Sequence, residues 1–108
     1  MNFIARQGDV LIFGVEKIPE GLEKIKPGVR GFVLAEGEAT GHAHTLNEVQ
    51  FAKMWKGSQE EDPDLFLKTD KACTVVHEEH GTIDLPEGTF LVRRQREYSP
   101  EEIRKVQD

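Results

Sequence analysis

The chain contains a single cysteine, Cys73, so it has no internal disulfide framework. That fits a reducing compartment, and the cytoplasm is the expected location. Cys73 itself reads as a small buried strand residue. Long apolar runs are missing as well. The continuous stretch Val10 to Val15 is too short for the roughly 20 residues that cross a bilayer, and Met1 to Gly8 carries one basic residue and no signal-peptide pattern. The expectation is a soluble intracellular protein with no membrane partner. Positive charge is in deficit, with 14 Lys and Arg against 20 Asp and Glu and a net charge of −6. Such a surface argues against nucleic acid as a partner, because that affinity rests on neutralising phosphates.

With 108 residues, two halves would each be too small to bury a useful core, so one domain over residues 1–108 is expected. The stability margin at this length is modest, which leaves room for a homodimer or a bound metal to add to it.

Sustained helical periodicity is the next absence. Val10-Leu11-Ile12-Phe13-Gly14-Val15 reads as a buried strand between Gly8-Asp9 and Pro19. Pro19, Gly21, Pro27, Gly28 and Gly31 break residues 19–31 into a loop with room for one helical turn at Leu22 to Ile25. Phe32 to Ala35 and His42 to Leu46 read as strand around Gly37 and Gly41, and the even spacing of Val49, Phe51 and Trp55 as another. Gly57 to Asp64 is an acidic loop. Leu65-Phe66-Leu67 and Cys73 to His77 flank a polar tetrad of hairpin length and are expected to pair. Ile83 to Leu85 and Thr89 to Arg93 flank the turn Pro86-Glu87-Gly88.

At the carboxyl end, Ser99 as N-cap, Pro100 as first helical residue and Glu102 form a capping pattern for a short helix. About seven or eight short strands with turns between them imply a mainly β fold, a small antiparallel barrel or sandwich.

All four histidines fall in two tight motifs, His42-Ala43-His44 and His77-Glu78-Glu79-His80. Side chains two apart on a strand share a face, so His42 and His44 project together, with Glu48 following as a carboxylate ligand. His77 and His80, three apart, point to opposite faces unless a bulge or turn intervenes, and Gly81 makes one plausible. His80 is favoured as a ligand, and His77 is either a ligand or a supporting partner. Imidazole with carboxylate suits Zn, Fe, Ni or Mn, and the residues do not choose among them.

Gly37 through His42-Ala43-His44 to Glu48 and Gly57 resembles the first motif of the cupin superfamily, and Pro86-Glu87-Gly88 resembles the P-x-G turn of its second. The resemblance implies a jelly-roll barrel holding a metal on His42, His44 and Glu48. Leu91 stands where the second-motif histidine would be, so the remaining ligand would come from His77 or His80. Arg6 to Val10 and Arg94 to Pro100 also resemble segments of small bacterial and phage proteins, a similarity that carries no activity with it.

Two functional classes follow. The first is a cupin-like metal-binding domain taking a small polar ligand or substrate; if it is an enzyme, the metal acts as Lewis acid or redox centre. The second is a non-catalytic binding or assembly module in which the histidines are structural or bind an anion. Arg93, Arg94 and Arg96 with Tyr98 form the one basic cluster, read as arginines paired with carboxylates before phosphate or RNA contacts. Asp9 reads as a turn residue.

Overall fold

The computed structural model describes residues 3–37 and 41–95. Within them the chain forms ten strands: β1 (Ile4–Gln7), β2 (Val10–Gly14), β3 (Glu23–Ile25), β4 (Phe32–Glu36), β5 (Ala43–Leu46), β6 (Ala52–Lys56), β7 (Leu65–Thr69), β8 (Cys73–Val76), β9 (Ile83–Leu85) and β10 (Gly88–Arg94). They make two antiparallel sheets, one ordered β1-β2-β10-β7-β6-β3 and the other β4-β5-β8-β9. Among the described residues no helix is long and apolar enough to cross a membrane.

The apolar run at residues 10–15 does what its composition demands. β2 lies between β1 and β10, and Val10 and Ile12 are fully buried. They belong to one core fed by both sheets, with Met54, Leu67, Phe90 and Val92 from the larger and Phe32, Leu46, Val75 and Leu85 from the smaller. Each large apolar side chain removed from water in this way contributes about 1.5–3 kcal/mol. The open edges, β1 and β3 on one sheet and β4 and β9 on the other, mean that the described strands form no closed barrel.

Two local features aim residues at the site. The β1–β2 hairpin closes Gln7 onto Val10 through the two-residue turn Gly8-Asp9, with Gly8 at φ +58°. That positive φ at the first turn position is the conformation glycine adopts without steric cost, and its twist matches the flanking strands. Between β4 and β5 the register slips from Val33–Thr45 to Ala35–His44, so the bulge inserts an extra β4 residue just before the strand reaches the histidine.

Several expectations are corrected. Leu22 to Ile25 is not a helical turn: Glu23–Ile25 is an edge strand paired with β6, with Ile25 opposite Met54 and packed on the core. Four residues between breakers make too few helical bonds to offset nucleation, whereas a strand gains a ladder at once. Val49–Phe51 is a single 3₁₀ turn, and the strand begins at Ala52.

The segments flanking residues 68–71 do not pair: β7 lies between β10 and β6, while β8 lies between β5 and β9 in the other sheet. Thr69 fixes this crossover. Its buried hydroxyl donates to Pro86 O at 2.8 Å and accepts from Gly88 N at 3.0 Å, and Asp70 N donates to Phe51 O at 2.7 Å. The expected helix from Ser99 lies outside the described residues.

Candidate metal centre

The four imidazoles are carried by two stretches of the smaller sheet. His42 immediately precedes β5 and His44 lies on it; His77 follows β8 and His80 stands in the bend before β9. Chain direction at residues 78–80 departs from the strand, so His77 and His80 reach the same side, which a continuous strand would forbid. The His44 and His77 ring centroids are 4.3 Å apart, those of His77 and His80 4.7 Å, those of His44 and His80 6.2 Å and those of His42 and His77 5.9 Å. All four rings line one pocket of about 350 Å³ with Gly8, Asp9, Gly37 and Glu79.

Two glycines let the imidazoles approach the backbone closely. A Cβ on Gly8 would stand 2.8 Å from His80 Nε2 and 3.4 Å from His44 Cε1, and one on Gly37 would stand 3.0 Å from His77 Nε2. Backbone hydrogen bonds hold the frame: Gly37 N donates to His42 O at 2.8 Å, closing the base of the β4–β5 loop. The β8–β9 loop is pinned by Ala43 N donating to Glu78 Oε1 at 3.0 Å and by His42 Nδ1 against Glu79 Oε1 at 3.0 Å.

His44 is the most constrained of the four, with 1% of its surface exposed. Its Nδ1 is 2.8 Å from Gln7 Oε1, while the Gln7 amide nitrogen donates to Val75 O and Gly81 O, both at 2.9 Å. Both amide hydrogens are therefore committed, which fixes the Gln7 oxygen as acceptor and the His44 proton on Nδ1. His44 Nε2 is left with a lone pair, 3.4 Å from Asp9 Oδ1.

Burial holds the His44 pKa below its ordinary value, the electrostatic influence of the neighbouring His77 and His80 adding to this and Asp9 opposing it. Burial alone would raise the Asp9 carboxyl; the hydrogen bond and charge of Arg94, whose Nε is 2.8 Å from Asp9 Oδ2, outweigh it and hold the group below the usual range. At neutral pH the result is a buried lone pair facing the oxygen of a part-exposed carboxylate, an arrangement that a cation relieves. The spacing also fits: metal bonds of about 2.0–2.1 Å in a tetrahedron put neighbouring ligand atoms about 3.3–3.4 Å apart.

A second group, His42, His77 and Glu78, offers ligand atoms all within 4.8 Å of one another. Glu78 is exposed and its carboxyl is held low, first by the hydrogen bond from Ala43 N.

Of the residues singled out from sequence, His42, His44, His77 and His80 come together. Glu48 does not join them. Its carboxylate accepts from Thr74 N at 3.1 Å and from Thr74 Oγ1 at 2.8 Å, bonds that outweigh burial and lower its pKa. The carboxylates beside the histidines are instead Asp9, from the other sheet and 3.4 Å from His44 Nε2, and Glu79, 3.0 Å from His42 Nδ1. Asp9, Gln7 and Glu79 were missed as site residues; Gly8-Asp9 signalled only a turn, and nothing local links it to residue 44. Arg93 and Arg94 are paired as expected, Arg93 with Asp64 through two bonds of 3.0 and 2.8 Å. Arg96 and Tyr98 lie outside the described residues.

A family model described as a domain of unknown function (DUF8820) matches residues 6–95, a span that contains every residue of this pocket. No curated protein and no solved structure matches the chain.

Proposed function

We propose that this chain, a member of that family of unknown function, binds a divalent transition-metal ion in the four-histidine pocket. The observation that carries the reading is the 3.4 Å separation of His44 Nε2 and Asp9 Oδ1, two electron-pair donors held face to face. His44 and Asp9, 3.4 Å apart, are the proposed ligand pair. His80 or His42 would turn toward them to complete a set of the kind favoured by zinc, nickel, iron or manganese, since the three ligand atoms that already lie within 4.8 Å of one another among the described residues belong to His42, His77 and Glu78. Gln7 supplies the hydrogen bond to the far nitrogen that orients a ligating imidazole, and Arg94 does the same for the carboxylate. A small polar molecule would then occupy the rest of the pocket.

The cupin resemblance supports this through His42-Ala43-His44, and the two antiparallel sheets around one core are compatible with it. Glu48 drops out of the ligand set and Asp9 takes its place. Cytoplasmic residence belongs to the same reading, since a metal site of histidine and carboxylate needs no oxidising compartment.

Titration calorimetry on protein stripped with chelator, using zinc or nickel chloride, tests it. About one equivalent should bind, and binding should be lost when His42 and His44 are both changed to alanine. At a free metal concentration 100 times Kd, linkage stabilises the fold by about 2.7 kcal/mol, which raises Tm by roughly 10–20 °C for a domain near this size. No binding heat, with Tm unmoved by zinc, nickel or manganese, would leave the histidines as a structural cluster.

A further inference from the structure

His77 differs from His44 in where its hydrogen sits. Glu79 N donates to His77 Nδ1 at 3.0 Å, so that nitrogen is an acceptor and the neutral ring carries its hydrogen on Nε2. A nitrogen bearing a hydrogen is not a metal ligand. Using Nε2 to bind a cation would move the hydrogen to Nδ1, against the Glu79 N–H. Yet the His77 ring lines the same pocket, 4.3 Å from the His44 ring and 4.7 Å from that of His80.

Ligating imidazoles are neutral, and the single carboxylate beside His44 is already paired with Arg94 at 2.8 Å. Two further acids are near, both solvent-exposed: Glu79 is turned to His42, and Glu78 accepts from Ala43 N beside His42 and His77. Water screens both of them, so a divalent ion on His44 and Asp9 with an open position would still attract an anion. The pocket, about 350 Å³, has the size of a small-molecule site.

We propose that the pocket takes a small carboxylate anion, one oxygen on the cation and one accepting a hydrogen bond from His77 Nε2–H, so that His77 reads the ligand and does not hold the metal. This rests on the metal reading above.

The test uses cobalt(II), whose visible spectrum reports its ligands, on the full chain stripped and reloaded. Sodium acetate is the probe, with sodium chloride as the ionic-strength control. Wild-type protein should take up one cobalt and show a saturable acetate-dependent spectral change that chloride does not reproduce. His77→Phe, which keeps a ring and removes the donor, should bind cobalt within about threefold of wild type and bind acetate at least tenfold more weakly.

Nitrogen-15 NMR of the zinc-loaded wild type gives a readout that needs no variant: His77 should keep its hydrogen on Nε2 when zinc is bound. Loss of cobalt uptake in His77→Phe, or loss of that Nε2 hydrogen on adding zinc, makes His77 a ligand, in line with the His42, His77 and Glu78 group, and overturns the inference while leaving metal binding intact. A cobalt spectrum indifferent to acetate overturns the anion site. Wild-type protein that takes up no cobalt overturns the metal reading itself.

Discussion

Gln7 Oε1 and His44 Nδ1 are 2.8 Å apart across the two sheets. Gln7 belongs to β1 of the larger sheet and His44 to β5 of the smaller, and the same glutamine amide donates to β8 and to the loop before β9. One buried side chain thus joins the sheets and sets the tautomer of the most buried histidine.

Gln7→Leu keeps the shape and deletes all three bonds, two to backbone carbonyls and one to the His44 N–H. Each buried group left unsatisfied costs about 1–3 kcal/mol, and some of the three will find water. The expected loss is roughly 2–4 kcal/mol in urea denaturation at pH 7.5. A loss below about 1 kcal/mol would show that the bridge contributes little.

Gly8→Ala should destabilise through two separable effects. Its φ of +58° costs a residue with a Cβ about 1–2 kcal/mol, and the new Cβ would stand 2.8 Å from His80 Nε2. The backbone part persists in a His80→Ala background and the contact part vanishes there, so the penalty should be smaller in the double variant. Equal penalties in both backgrounds would mean that His80 yields freely.

Two carboxylates can be separated by conservative changes. Glu48→Gln should leave zinc affinity within about twofold, because its oxygens are occupied by Thr74, and should cost about 1 kcal/mol of stability. Asp9→Asn should weaken zinc at least tenfold by removing the anionic oxygen beside His44. The reverse order in calorimetry would restore the assignment of Glu48 that sequence spacing suggests.

Acidification in the presence of chelator should destabilise the fold in two stages of the same sign. His44 has a folded-state pKa below 6.5, so between those values the unfolded chain binds more protons; stability is complete above about pH 6.5 and falls as pH drops below it. Asp9, Glu48, Asp64 and Glu78 are also held low, Asp64 first by its hydrogen bond from Arg93. Their contribution is present above about pH 4.5 and is lost as pH falls through the folded values. Urea midpoints from pH 8 to 3 should show both stages, and His44→Asn, which keeps a donor for Gln7, should remove the upper one. Stability rising between pH 7 and 5.5 would mark His44 as a charged bridge between Gln7 and Asp9.

Local chemistry wrote much of this fold into the chain. The apolar run at Val10–Val15, the breakers of residues 19–31 and the short alternating segments fix strands and turns through interactions among near neighbours, and the two histidine motifs were visible as such. Pairing was not legible. The three-residue link Asp70-Lys71-Ala72 between β7 and β8 suits a hairpin and a crossover equally, and the choice fell to Thr69 bonding to Pro86 and Gly88, far along the chain.

For the site, the sequence alone put two imidazoles two residues apart, His42 just before β5 and His44 on it, where side-chain alternation, a local property of an extended backbone, lets both face one side. Only the tertiary structure decided that His77 and His80 both join them, that Glu48 turns to Thr74, and that Asp9 and Gln7 arrive from the opposite sheet. Those outcomes depend on which strands become neighbours. That is set by burying one core between two sheets, an energy summed over the whole chain and carried by no single stretch of it.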